Sequence, residues 1–297
     1  MPVLGDRAVV EPPPNRPPGW ISGRRPPRPP ARLGARRRLG QVLAPLLFAV
    51  AVLALWQLYV GVSAVKPSTL PAPTEVAKAL WNDRSLLVSN GWTTVQEIVL
   101  GYLVALVLGV GLAVTVSMSR VAERAVYPWL VISQTVPIPA IAPIFVIWTG
   151  FDIRPKLMVI ALVTFFPIAV NTADGLKSTD PELLDLLRTF GAGRWRRFRV
   201  AQLPAAMPFM FSGLKVAAAL AVIGAVFAEW VGASDGLGYL ILTDNNQALT
   251  TDVFAVVVAL SVVGMALFFV VATIERLALP WYHDPRRDRG AAKLVGS

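Results

Sequence analysis

Long apolar runs alternate along the chain with short polar and basic stretches, and each run of bilayer length predicts a helix. A helix rises about 1.5 Å per residue, so about 20 residues cross a hydrocarbon core about 30 Å thick. Gln41 to Val62 offers 22 residues without a charge. Trp92 to Met118 is apolar apart from Glu97 near one end, and carries Gly101, Gly109 and Gly111, small residues that permit close helix packing in lipid. Leu157 to Ala173, with Pro167 and Asn171 inside it, Met207 to Trp230 and Val253 to Ile274 pass the same test. Ala125 to Phe151 has no charged residue, but Pro128, Pro137, Pro139 and Pro143 interrupt it, so it is too long for a straight span and too broken for a regular one. The pattern predicts an all-α polytopic membrane protein of about six transmembrane helices.

Irregular backbone at membrane depth survives only where protein or a water-filled cavity satisfies the freed polar groups. "SQTVPIPAIAP" is therefore a pointer to a substrate pathway, with a kinked packing helix as the other reading. Gln134, Thr135, Pro137, Pro139, Asn171 and Glu229 are the candidate pathway residues, Glu229 being open also to reading as a structural acid at the interface. A pathway lined by Gln134, Thr135 and Asn171 suits a small polar or heterocyclic solute.

Charge orients the helices. The chain has 28 basic residues and a net charge of +10. Of these, 22 fall on one side of a six-span arrangement: the arm before Gln41, Arg120 and Arg124, the loop from Lys177 to Arg199, and the tail with Arg276, Arg286, Arg287, Arg289 and Lys293. This is a topology signal rather than a nucleic-acid face, and the positive-inside rule puts both termini in the cytoplasm. Lys215, near the start of the fifth helix, can snorkel toward the same side. Residues 1–40 hold ten of the 25 prolines and read as a disordered, basic, Pro/Arg-rich cytoplasmic arm rather than a signal peptide. Residues 41–280 form the transmembrane domain and 281–297 a cytoplasmic tail. With no cysteine and one histidine, His283 in that tail, neither a disulfide framework nor a zinc site is expected.

The loop "DLLRTFGAGRWRRFRVAQLP" stands out in so apolar a chain. Asp180 is placed to N-cap a helix, Pro181 takes its first position, Glu182 lies beside the positive helix end, and Gly191 falls just past the last turn. Leu183, Leu186, Leu187 and Phe190 recur at i, i+3, i+4 and i+7 as one apolar stripe. A second short helix is expected from about Arg194 to Ala201, presenting Trp195 and Phe198, with Pro204 ending the loop. Such a stripe either fills a groove on another protein or lies on anionic headgroups.

No G-x-x-x-x-G-K-[ST] occurs, so no nucleotide site of the chain's own is expected. An intramembrane hydrolase would find few ionisable groups to work with. An ion-coupled secondary transporter is the rival class, but it would want acids deep in the spans, and Glu97, Glu229 and Lys215 lie near helix ends. A scaffold recruiting partners through the proline-rich arm is a third.

Asp185-Leu186-Leu187, Gly191 and Ala201-Gln202-Leu203-Pro204 keep the spacing of the cytoplasmic loop E-A-A, three residues, G, nine residues, I-x-L-P. The chain thus resembles the binding-protein-dependent permease subunits of bacterial ABC importers. It departs from that signature with two leucines for alanines and Ala201 for isoleucine. "FSGLKVAAALAVIGAVFAEWVGASDGLGYLI" and "VPIPAIAPIFVIWTGF" extend the resemblance over about Trp92 to Trp281, nearest the branch for sulfonate, taurine, nitrate and thiamine-precursor uptake. The resemblance implies a type I ABC importer permease fold (MetI-like) in the bacterial plasma (inner) membrane. It implies a homodimer among membrane lipids, an extracytoplasmic solute-binding protein and separate ABC ATPase subunits, with ATP and Mg held there and no cofactor in this chain. The hairpin at about 177–204 would dock on the ATPase: Leu186 and Leu187 supply the contact, with Leu183, Phe190, Trp195 and Phe198 beside them. Glu182, Asp185 and Arg188 form a polar rim, Gly191 fixes the angle, and Leu203 and Pro204 close the loop.

Overall fold

The computed structural model describes residues 35–63 and 65–282. Most of the Pro/Arg-rich arm, and the tail from His283 on, lie outside the described residues. The chain divides into two units, 1–54 and 55–297. The first holds the start of helix α1 (Ala35–Val62), which begins within the stretch expected to be arm and exposes Leu46, Phe48 and Leu53.

The second unit is built from α2 (Pro73–Asn82), α3 (Arg84–Met118), α4 (Arg120–Ser133), α5 (Ile138–Thr149), α6 (Ile153–Lys177), α7 (Pro181–Thr189), α8 (Arg194–Arg197), a π-helical turn (Phe198–Gln202), α9 (Leu203–Gly232), α10 (Leu237–Asn246) and α11 (Thr250–Ala278). Among the described residues, five helical stretches are long and apolar enough to cross a membrane: Leu43–Val62, Arg84–Met118, Ile153–Lys177, Arg194–Gly232 and Thr250–Ala278.

The expected third crossing is not among these five: the stretch from Ala125 to Phe151 folds as two shorter helices, the end of α4 and α5. Leu130 of α4 sits with Ala113 and Val116 near the Met118 end of α3 and with Ala169 and Ala173 of α6. Ala142 of α5 packs with Val159 and Ala228 toward the other end. Helix α4 packs mainly on α3 and α5 on α6, and the helix is broken at Gln134–Pro137 beside Leu162 and Val163, midway along α6. Proline explains the break: Pro137 lacks an N–H and disfavours helix in Val136 before it, while Pro139 falls in the first turn of α5, where no N–H is needed.

Helix α6 is the centre of the bundle, buried between α3 and α9. Its N-terminus is capped by Asp152, whose Oδ1 accepts the Arg154 N–H at 2.8 Å. A Cβ on Gly101 would come within 2.7 Å of Ile160, and one on Gly109 within 3.0 Å of Ile168, so these two glycines let α3 lie directly on α6. Gly111, expected to serve the same end, faces open space. It is two residues from Gly109, about 200° round the helix, whereas Gly101 and Gly109 are eight apart and share a face. Lys215 of α9 pairs with the buried Glu275 of α11 at 2.7 Å.

Candidate functional site

The loop between α6 and α9 folds as a helical hairpin. Asp180 caps α7: its Oδ1 accepts the Glu182 N–H at 2.9 Å, and Pro181 occupies the first turn where no N–H is needed. The other end closes in a Schellman motif. The Gly191 N–H donates to the Arg188 carbonyl at 3.0 Å and the Ala192 N–H to that of Leu187 at 2.9 Å, with Gly191 at φ +76°. These bonds set the direction in which the chain leaves α7.

The apolar stripe is uncovered. Leu183, Leu186 and Phe190 are 44%, 53% and 79% exposed, whereas Leu187, one step round the helix, is half-buried. Glu182, Asp185 and Arg188 are exposed around the stripe, and Asp185 and Arg188 form no ion pair with each other among the described residues. In the second arm Trp195, 71% exposed, stacks on Phe198 with centroids 5.5 Å apart and planes at 20°.

That arm differs from expectation at its far end. The helix does not stop at Pro204: α8 passes through the π turn into α9, and Leu203 and Pro204 stand in the first turn of α9. The Leu203 N–H bonds the Phe198 carbonyl, five residues back. Proline removes one ladder bond and crowds the preceding turn, and a π turn at that point gives the extra residue that relieves it. The second arm is therefore one continuous lever with the fifth crossing. Beside it α9 lies against α6, where a Cβ on Gly175 would approach Phe209 Cβ to 2.7 Å and Ala206 Cα to 2.9 Å.

The break in the third crossing lines a cavity of about 280 Å³ with Gln134, Thr135 and Pro137, together with Leu162 and Val163. Thr135 Oγ1 donates to the Ile132 carbonyl at 2.8 Å, while the Gln134 amide makes no hydrogen bond among the described residues. Pro139 lies one turn on, in α5. Asn171 does not line this cavity; its Nδ2 donates to the Pro167 carbonyl at 2.8 Å.

Glu229 lies elsewhere, in a buried polar knot joining α3, α6, α9 and α10. It is 1% exposed. Its Oε2 accepts the N–H groups of Gly238 (2.5 Å) and Tyr239 (3.3 Å), and its Oε1 accepts the Thr94 hydroxyl at 2.7 Å. Thr94 Oγ1 in turn accepts the Leu237 N–H, and Asn90 Oδ1 accepts that of Gly236, each at 2.8 Å. The free N–H groups at the start of α10 are thus all met by three side chains, with the acid where the helix dipole favours it. Lys156 at the start of α6 bonds Glu97 Oε1 at 2.5 Å and approaches Asp235 to 4.0 Å. Asn90, Thr94 and Lys156 were not among the candidates read from the sequence. Asn90, Thr94 and Glu97 are spaced i, i+4, i+7, a polar stripe on an apolar helix, and that is the signal they carry.

Known proteins match this architecture. Residues 105–282 match the family described as binding-protein-dependent transport system inner membrane component. The chain is 38% identical over 246 residues to a formylaminopyrimidine transport permease protein of Halalkalibacterium halodurans, covering 82% of this chain and 98% of that one. It is 33% identical over 232 residues to a riboflavin transport system permease protein of Chloroflexus aurantiacus (77% and 87% covered). It is 31% identical over 251 residues to a putative aliphatic sulfonates transport permease protein of Bacillus subtilis (83% and 90%). An inward-facing structure of the MetNI methionine ABC transporter superposes at TM-score 0.58 with 19% identity, covering 66% of this chain and 97% of that one, a likeness of fold. The chain belongs to the family of inner-membrane components of binding-protein-dependent transport systems, the permease subunits of ABC transporters.

Proposed function

We propose that this permease forms the membrane pathway of an importer for a small polar or heterocyclic solute, and that the 180–204 hairpin couples it to a separate ATPase. The observation that carries the coupling is the exposed stripe Leu183, Leu186 and Phe190 on a helix capped at both ends. Apolar side chains held in fixed register outside the core fit a groove on a partner. Two permease subunits pair as a homodimer around the pathway, both termini lie in the cytoplasm, and an external binding protein delivers the solute. ATP and Mg²⁺ act in the partner, and their energy reaches the spans through α7, α8 and the lever into α9. Moving a two-state equilibrium from 1:99 to 99:1 takes only about 5.5 kcal/mol. Two of the named relatives are described as carrying heterocycles, which supports a heterocyclic solute, and the Gln134 amide, which makes no hydrogen bond among the described residues, supports a polar contact with it.

The absence of native cysteine makes the test direct. Leu186→Cys, bearing a short photocrosslinker, is expected to capture an ATPase subunit in the membranes of the native cell. In proteoliposomes the binding protein with its solute is expected to raise ATP turnover. Crosslinks to lipid alone would sink the coupling role.

A further inference from the structure

A second cavity lies between the hairpin and the Met118 end of α3. It measures about 320 Å³, and its walls include Val114 and Met118 of α3, Leu184 of α7, and Arg194, Trp195 and Arg197. Leu184 is one residue, or about 100°, round α7 from Leu183, so this cavity opens on a different face from the stripe proposed to meet the ATPase.

Its chemistry is split. The α3 wall is the apolar end of a membrane-crossing helix, while the opposite wall carries two guanidinium groups. Neither Arg194 nor Arg197 has an acidic partner among the described residues. Arg197 Nε is closed off from solvent and has no hydrogen-bond partner among them. A ligand in the cavity therefore meets the terminal N–H groups of the two arginines rather than this nitrogen. The ligand that complements this wall is an anion, because no Asp or Glu lines the cavity to balance the two positive charges. It must also bring apolar substance to lie along Val114 and Met118. The volume is at the small end of the range for ligand sites, about 300 to 1,000 Å³, and suits a headgroup whose chains remain outside.

We infer that this cavity is a binding site for an anionic phospholipid, with the phosphate held by Arg194 and Arg197 and the glycerol and first acyl carbons against Met118 and Val114. A zwitterionic lipid brings an ammonium group for which the cavity has no acceptor carboxylate. The site would fasten the root of the hairpin to the membrane edge while the Leu183, Leu186 and Phe190 stripe stays free.

The test uses the full-length protein, delipidated in detergent and titrated with phosphatidylglycerol or phosphatidylcholine, with bound lipid read by native mass spectrometry. The expected result is one phosphatidylglycerol per chain, about tenfold tighter than phosphatidylcholine, the loss that one charge-assisted hydrogen bond represents. Arg194→Gln with Arg197→Gln is expected to abolish the preference, whereas Arg196→Gln with Arg199→Gln, outside the cavity, is expected to keep it. Equal retention of the two lipids by the unaltered protein overturns the proposal without any variant having to fold. Preference surviving in the Arg194/Arg197 variant overturns it as well. Displacement of the lipid by millimolar inorganic phosphate alone assigns the site to a free anion instead and overturns the lipid reading.

Discussion

The N–H of Gly238, at the start of α10, donates to the Oε2 of Glu229, near the end of α9. This bond accounts for the sequence between them. A Cβ on Gly236, which holds φ +115°, would fall into the Glu229 carboxylate, and one on Gly238 would come within 2.8 Å of Oε2 and 2.9 Å of Val226 Cα. The two glycines of the Gly-Leu-Gly stretch are the space that the carboxylate occupies.

Gly236→Ala should therefore be costly on two counts. Backbone forced into that region costs about 1–3 kcal/mol for a residue with a side chain, and the clash adds to it. Glu229→Leu removes the acceptor for the first turn of α10 and leaves buried donors unmet, each at about 1–3 kcal/mol. Both variants should melt at lower temperature in detergent, and Glu229→Gln, which keeps one acceptor oxygen, should fall between them and the unaltered protein. An unchanged melting temperature for Glu229→Leu would show that α10 is held by its apolar contacts alone.

Lys156 and Glu97 form a pair that is 10% and 3% exposed, and the two should be strongly coupled. Removing one partner of a buried ion pair costs about 3–5 kcal/mol because the other charge is left uncompensated. Lys156→Met alone should destabilise the protein by that order. Adding Glu97→Leu should restore most of the loss, since apolar pairs often replace buried ion pairs without penalty. Melting of the two single variants and the double variant measures the coupling, and strict additivity would refute it.

How far the sequence foretells this structure depends on what kind of fact is asked for. Spans are facts about runs of residues, so Gln41 to Val62 and Val253 to Ile274 were visible at once. The caps of α7 were visible too, because Asp180, Pro181 and Gly191 act on their own neighbours. The division of the third crossing at Gln134–Pro137 was foreshadowed by its prolines. The continuity of α8 into α9 was not, because Pro204 is read locally as a stop and only the π turn before it makes room for the helix. The polar knot was hidden for a different reason: Thr94 meets Glu229 across 135 positions of chain, and spacing along one helix says nothing of what faces it.

Gly101 and Gly111 look alike in sequence and should behave oppositely. Gly101→Leu drives a side chain into Ile160, where even a Cβ has only 2.7 Å, and should separate α3 from α6. Overpacking of this kind costs about 1–3 kcal/mol or more. Gly111→Leu meets nothing within 4 Å and should leave melting unchanged or raise it slightly through helix propensity. Equal effects in the two variants would mean that α3 is turned differently on α6.

The hairpin offers a separation of coupling from folding at Gly191. Its φ of +76° is open to glycine and, at modest cost, to asparagine, whereas a β-branched residue there is strained by about 1–2 kcal/mol. No atom lies within 4 Å of a Cβ at this position, so the penalty falls on the backbone and not on packing. Gly191→Val should break the Schellman bonds to Arg188 and Leu187 and let the second arm swing away from its set angle. Inserted protein should remain abundant, because α7 has no fully buried residue to lose, while solute uptake driven by the partner ATPase should fall sharply. Gly191→Asn, able to hold the left-handed conformation, should retain most uptake. Uptake measured against membrane abundance distinguishes the two variants, and full transport by Gly191→Val would mean that the hairpin's angle plays no part in coupling.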